Sequence, residues 1–270
     1  MAKVLVVTSG KGGVGKTTST AAIGAALAQN GKKVAVVDFD VGLRNLDLVL
    51  GAERRVVFDL INVVQGVAKL PQALIRDKRL ENLWLLPASQ TRDKDALTEE
   101  GVGRVISDMR NNFDWILCDS PAGIERGAML AMRYADEAII VTNPEVSSVR
   151  DSDRIIGMLD SKTVKAEKGE EVAKQVQITR YDPARAARGE MIGIEDILEI
   201  LATPLLGIIP ESQDVLRASN VGSPVTLNSP ASAPARAYSD ATKRLLGETL
   251  PMLVPSEPKG LMKLFGRRAA

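Results

Sequence analysis

Ser9-Gly10-Lys11-Gly12-Gly13-Val14-Gly15-Lys16-Thr17-Thr18 is the stretch that decides the fold. An apolar run stands before it, Lys3-Val4-Leu5-Val6-Val7-Thr8, and reads as a strand. After it, an Ala-rich run from Thr17 to Gln29 reads as a helix. Strand, glycine loop and helix in that order are the context of a phosphate-binding loop. The glycines let the backbone curl so that successive N–H groups face phosphate oxygens, and the helix N-terminus behind them adds about half a positive charge. In such a loop Lys16 reaches the β- and γ-phosphates and the Thr17 hydroxyl coordinates Mg²⁺. Gly10 through Thr18 are therefore the expected contacts of a nucleoside triphosphate.

Working outward, Val34 to Asp40 reads as a second strand, apolar until it ends in Asp38 and Asp40. Parallel strands buried on both faces have this continuous apolar character. The two acids leave at the C-terminal edge of the strand, where open α/β sheets bind ligands. Phe113-Asp114-Trp115-Ile116-Leu117-Cys118-Asp119 delivers a third carboxylate to the same edge. This is the Walker B pattern, in which Asp119 holds Mg²⁺ directly or through a water. Gly123, four residues on, supplies a hinge whose N–H senses the γ-phosphate.

Further strands are expected over Asn82–Pro87, Glu137–Thr142, Gln175–Tyr181 and Leu205–Glu211. Helices are expected over Phe58–Val64, Leu97–Met109, Ser147–Leu159, Ile194–Leu201 and Ala233–Glu248, with a charged surface segment over 160–174. Strands alternate with helices throughout, which predicts a doubly wound, mainly parallel sheet. The expected organisation is one ATPase-like domain over residues 1–250, a linker over 251–258 holding Pro251, Pro255 and Pro258, and a tail over 259–270.

Composition excludes several classes. The 270 residues carry 35 Lys plus Arg against 34 Asp plus Glu, so no polyanionic partner is implied and no nucleic acid is expected. Histidine is absent, which removes histidine catalysis and histidine metal sites. Cys118 is the single cysteine, so there is neither a disulfide framework nor a pair of cluster ligands. The N-terminus lacks a hydrophobic signal core and no apolar run approaches the roughly 18 residues of a membrane span, so a cytoplasmic location is expected. No Asn-Lys-x-Asp motif supports guanine specificity.

Lys11, the second lysine near the start of the loop, resembles the deviant phosphate-loop ATPases of the ParA/MinD family. GLRNLDL (42–48), ASQTRDKDAL (88–97), CDSPAGIE (118–125), TNPEVSSVRDSDR (142–154) and VLRASN (215–220) narrow the resemblance to the septum-placing branch of that family. It runs over essentially the whole chain. It implies an ATPase in which Lys11 reaches across a dimer interface to the partner's nucleotide, Asp38 lies on the Mg²⁺ side, and Asp40 orients the attacking water. It also implies that Arg180 and the Pro210-Glu211 pair frame the adenine. The implied cofactors are ATP and Mg²⁺. The implied partners are a second copy of the chain, a division inhibitor of the MinC kind, an activator of the MinE kind, and anionic lipid on the inner face of the cell membrane. A partition ATPase of the same family would bind DNA and carry a basic patch. An iron–sulfur scaffold would need paired cysteines.

The tail reads as an amphipathic, membrane-targeting helix. At about 100° per residue, Leu261, Met262, Leu264 and Phe265 span roughly 160° of one face. Lys259, Lys263 and Arg267 cluster within roughly 80° on the other side, with Lys263 poised toward lipid headgroups, while Arg268 falls among the apolar residues. The tail holds four basic residues and no acid, which leaves the body before it at net −3, from 31 basic and 34 acidic side chains.

Overall fold

The computed structural model describes residues 2–90 and 96–256. Among them, eight strands form one sheet, flanked by helices on both faces. The first half of the chain runs β1 (Lys3–Thr8), α1 (Lys16–Gln29), β2 (Val34–Asp38), α2 (Leu46–Val49), α3 (Leu60–Val64), α4 (Leu70–Ala73), β3 (Ile75–Arg76), β4 (Leu83–Leu86), α5 (Glu99–Arg110) and β5 (Trp115–Asp119). Then come α6 (Arg126–Met132), β6 (Glu137–Thr142), α7 (Val146–Lys162), α8 (Val164–Glu167), β7 (Ala173–Tyr181), α9 (Pro183–Ala187) and α10 (Ile194–Leu201). The body closes with β8 (Leu205–Pro210), α11 (Gln213–Asn220), α12 (Val225–Asn228) and α13 (Ala233–Leu245).

The sheet order is β3-β4-β2-β5-β1-β6-β7-β8, parallel except for the antiparallel edge pair β3–β4. The strands are apolar on both faces because both faces are covered. Val4 and Val6 enter the core beneath α3, α5 and α6, while Leu5 and Val7 enter the core beneath α1 and α13. Helix α1 lies very close to the sheet, and its alanines make this possible. A Cβ on Gly24 would stand 2.8 Å from a methyl of Val36.

The chain leaves β1 for β2 on one side and later reaches β6 on the other, with β5 and β6 flanking β1. The crevice at the C-terminal ends of β1 and β5 is thus the topological switch point where open sheets of this kind bind ligands.

The elements depart from expectation mainly at their ends. The second strand stops at Asp38, so Phe39 and Asp40 already belong to the following turn. The helix expected from Phe58 begins at Leu60, because Asp59 and Asn62 form a capping box. The 160–174 segment holds the end of α7, the short α8 and the first residues of β7. Helices α2, α4, α6, α8, α9, α11 and α12 and the short strand β3 had no counterpart in the sequence reading. Among the described residues no helix is long and apolar enough to cross a membrane. Residues 251–256 are neither helix nor strand, and the expected tail helix lies outside the described residues.

Candidate nucleotide site

The loop between β1 and α1 gets its shape from two glycines in left-handed conformations, Gly13 (φ 74°) and Gly15 (φ 99°). Side chains other than glycine rarely adopt these values. Gly10 is required for a different reason: a Cβ there would stand 2.3 Å from the Asp151 carbonyl oxygen on α7. The loop is therefore wedged against α7 as well as seated on α1.

Lys16 opens α1 and is 8% exposed. Its Nζ donates to Ser9 Oγ at 2.8 Å, and Ser9 Oγ in turn donates to the Lys11 carbonyl at 2.7 Å. Burial holds the lysine below its ordinary pKa, while the charges of Asp119 and Asp40 act in the opposite direction. An ammonium in this position is desolvated, held by neutral partners, and ready to exchange them for phosphate oxygens. Lys11 lies on the outside of the loop, where its Nζ donates to Glu145 Oε2 at 2.7 Å and Ser147 Oγ at 3.1 Å. That hydrogen bond holds the Glu145 carboxyl below the usual glutamate range.

Asp38 and Asp119 sit side by side in register at the ends of β2 and β5. Both are buried, at 0% and 2% exposure. Burial comes first in raising the Asp38 pKa well above the carboxylate range, followed by the charge of Asp119. The Asp119 pKa is pushed up to about 6, again by burial first, with the Thr17 and Thr20 hydroxyls and Lys16 pulling downward. Thr20 Oγ1 donates to Asp119 Oδ1 at 3.1 Å. Asp38 accepts from two backbone amides, Asp40 N at 2.8 Å and Leu46 N at 3.2 Å. One carboxylate thereby pins both ends of the 40–46 turn and fixes where Asp40 stands. Gly123, at φ 85°, donates its N–H to the Ser9 carbonyl at 3.0 Å, so this glycine is tied directly to the phosphate loop.

Two adjacent buried carboxylates that resist ionisation, with a threonine hydroxyl between them and the loop, make an all-oxygen donor set of the kind that suits Mg²⁺. Among the described residues there is no cluster of three or more acidic, histidine or cysteine side chains able to hold a metal alone. This fits a cation that shares its coordination with bound phosphates.

Next to Gly15 and Thr18 opens a cavity of about 470 Å³. Arg180, Pro210 and Glu211, the candidate adenine contacts that the family resemblance implies, all line it. Arg180 adopts φ 53°, and Glu211 N donates to the Tyr181 carbonyl at 3.0 Å, which ties the two loops together. Sequence reading missed Thr179, the α11 face with Gln213, Leu216 and Ser219, and Tyr238 on α13. The signal for α11 was present in Ser212-Gln213-Asp214, where Ser212 caps the helix by accepting from Asp214 N. Tyr238 had none: its hydroxyl meets Ser19 Oγ at 3.1 Å across 219 residues of chain. Glu145, the partner of Lys11, was likewise unassigned.

Fold and site together define a phosphate-loop nucleotide-binding protein with the deviant second lysine. The family model of the CobQ/CobB/MinD/ParA nucleotide-binding domain matches residues 5–225. The chain is 62% identical over 270 residues to the septum site-determining protein MinD of Escherichia coli K12, covering 98% of this chain and all of that one. Among solved structures it is similar to the MinC:MinD cell division protein complex of Aquifex aeolicus, with TM-score 0.85, 44% identity, and 95% of this chain and 100% of that chain covered. It is also similar to the MinD of Pyrococcus horikoshii complexed with Mg-ADP, with TM-score 0.80, 34% identity and coverage of 91% and 96%. The chain belongs to the CobQ/CobB/MinD/ParA family.

Proposed function

We propose that this chain is a septum site-determining ATPase of the MinD kind, which dimerises around ATP, gathers on anionic membrane and recruits a MinC-like division inhibitor. The observation that carries the reading is the division of labour between the loop's two lysines. Lys16 is buried in the chain's own site, while Lys11 stands at the rim on Glu145. A rim lysine is placed to leave its carboxylate for the phosphates of a second copy.

In the proposed reaction, ATP lies along the loop with its phosphates under the backbone N–H groups and its base in the cavity framed by Arg180, Pro210 and Glu211. Thr17, Asp38 and Asp119 would hold Mg²⁺, which supplies positive charge against the β- and γ-phosphates. Asp40, held in place through Asp38, orients the attacking water. Lys16 neutralises charge that develops on the transferred phosphoryl group, and Lys11 of the second copy adds to it. Hydrolysis removes the group that both lysines grip, and the dimer parts.

Residues 259–270 are the proposed membrane contact. Four apolar side chains contribute several kcal/mol at most, and each basic residue adds about 1 kcal/mol near anionic lipid. Against this stands the cost of ordering a segment too short to be helical alone. One tail binds weakly; two on an ATP-held dimer gain about 10²-fold or more in avidity. An activator of the MinE kind would speed release.

The test is co-sedimentation with anionic vesicles, comparing the full chain with a truncation after Pro258, each with ATP and with ADP. Binding that needs both the tail and ATP is expected. Equal binding in the two nucleotide states, or undiminished binding by the truncation, defeats the proposal.

A further inference from the structure

Away from the phosphate loop, one side chain joins two segments that lie far apart in sequence. Gly51, just after α2, and Gly222, just after α11, meet backbone to backbone, with φ values of 61° and 63°. A Cβ on Gly51 would stand 2.7 Å from the Gly222 carbonyl oxygen, and one on Gly222 would stand 2.7 Å from the Gly51 Cα. Across this contact lies Arg79, from the turn between β3 and β4. Its Nη1 donates to the Gly222 carbonyl at 2.9 Å and its Nη2 to the Leu50 carbonyl at 2.9 Å. Asp77 aims the guanidinium, accepting from Nε at 3.2 Å and from Nη2 at 2.8 Å.

The two segments lead to different parts of the site. On one side, the stretch from Leu46 to Ala52 is a single hydrogen-bonded unit with the Asp40 turn. Leu46 N donates to Asp38 at 3.2 Å, Arg44 N to the Asp40 carbonyl at 3.1 Å, and Ala52 N to the Asp47 carbonyl at 2.8 Å. Arg44 Nε pairs with the buried Asp47 at 2.6 Å. Leu46 and Leu50 anchor the unit in the same apolar core as α1. On the other side, Gly222 N donates to the Ser219 carbonyl at 3.0 Å, so Gly222 moves with the last turn of α11. Gln213, Leu216 and Ser219 of that helix line the cavity of about 470 Å³. Helix α11 is weakly anchored on its own: Ala218 is its one buried residue, and Leu216 is 55% exposed. A planar base entering the cavity covers Leu216 and orders the helix.

We propose that Arg79 is a positioning residue of the ATPase reaction, linking a base bound against α11 to the turn that sets Asp40 before the attacking water. The proposal rests on the assignments of Asp40 and of the base cavity made above. Arg79 stands outside the cavity and acts through two backbone carbonyls. A guanidinium suits this task because its fork is rigid and planar, and it holds two carbonyls and a carboxylate in fixed relation. A lysine ammonium is a point charge on a flexible stem and fixes no such relation. Ordering of α11 by the base restrains Gly222. The fork passes that restraint to Leu50, and α2 returns it to Asp40. Base occupancy then sets turnover as well as affinity, and phosphates bound without a base leave the Asp40 turn loose.

Two measurements on the full chain test this. In the first, Arg79→Met removes the fork and keeps an apolar stem at a side chain that is 36% exposed. The variant should lose about tenfold in kcat, while ATP affinity by titration and ATP-dependent dimers by light scattering stay within about twofold of wild type. Unchanged kcat overturns the proposal, and so does a loss carried by ATP affinity alone. In the second, hydrogen exchange of residues 41–52 is followed with Mg-ADP and with Mg-pyrophosphate, each at a concentration that protects residues 10–18 equally. Wild type should exchange about tenfold more slowly with ADP than with pyrophosphate, and in Arg79→Met the two ligands should give the same rate. Equal rates in wild type overturn the proposal, and so does a difference that survives in the variant. A general loosening of the fold would speed exchange with both ligands and leave their difference in place. Arg79→Lys keeps the charge beside Asp77 without the fork, and it carries the same comparisons if Arg79→Met melts early. The exchange measurement involves no turnover, so failure of the link is distinguishable from failure of the Asp40 assignment, which the turnover of Asp40→Ala reports.

Discussion

Asp119→Asn should make the nucleotide-free protein more stable while removing its ATPase activity. The Asp119 pKa stands at about 6 against an ordinary 3.8, with burial as the first cause. A gap of that size between folded and unfolded values is worth about 3 kcal/mol. The sign follows from the direction. The folded state disfavours the ionised carboxylate, so the penalty is absent below about pH 4, where both states are protonated. It grows as pH rises from about 4 to 6 and is complete above about 7. Asparagine keeps an oxygen for the Thr20 hydroxyl and carries no charge, and it also relieves Asp38, for which Asp119 is the second cause of strain. In a domain of this size each kcal/mol moves the melting temperature by about 2–4 °C. Thermal melts of wild type and variant without nucleotide, run from pH 4 to pH 8, should coincide at the acid end and separate by about 6–12 °C above pH 7. Mg²⁺ and ADP should narrow the gap, since the cation compensates the charge that burial penalises. A variant that melts at or below the wild-type temperature across the whole range would refute the claim that these carboxylates are held in electrostatic tension until Mg-nucleotide arrives.

Lys16→Ala should weaken ATP binding by about 10–100-fold, the worth of a charge-assisted contact, as measured by equilibrium titration with a fluorescent ATP analogue. Lys11→Ala should retain most ATP affinity yet form no ATP-dependent dimer in light scattering; normal dimers would remove the proposed role across the interface. Asp40→Ala should bind ATP and dimerise but turn over slowly, a loss in kcat with little change in ATP affinity, because a water-orienting group acts mainly in the transition state. Gly10→Ala should shift the loop from α7 by about 1 Å, since its Cβ would stand 2.3 Å from the Asp151 carbonyl. A displacement of that size costs about 10²-fold in turnover, and a crystal structure of the variant would show where the loop went.

Much of this was legible in the sequence because two of its signals are local. Val4 to Val7, Val34 to Val37 and Ile116 to Cys118 are continuous apolar runs, and such runs must be buried on both faces wherever they fall. Gly13, Gly15, Lys16 and Thr17 fix a loop whose shape depends on few other residues. Asp38 and Asp119 followed, because a strand that ends in an acid hands it to one sheet edge. What escaped the reading is tertiary. Tyr238 joins the cavity beside Gly15 and Thr18 only because α13 packs beside α1, and Glu145 meets Lys11 only because β6 lies next to β1. The short α2, α4 and β3 hold too few residues for a periodicity to show. The linker expected over 251–258 rests on its prolines, and proline content says nothing about Arg244, which binds the carbonyls of Leu250 and Pro251.

That arginine also decides how the protein would bear load. Tension applied to the chain beyond Ser256 meets the Arg244 bonds to Leu250 and Pro251 before it reaches α13. The same guanidinium passes the strain to the Leu206 carbonyl on β8, a strand bonded laterally to β7. Force therefore enters the sheet as shear along an edge strand instead of peeling a helix from its end. A molecule tugged at the segment after Leu250 would give first at the two hydrogen bonds from Arg244 to Leu250 and Pro251, with the bond to Leu206 passing the load on to β8.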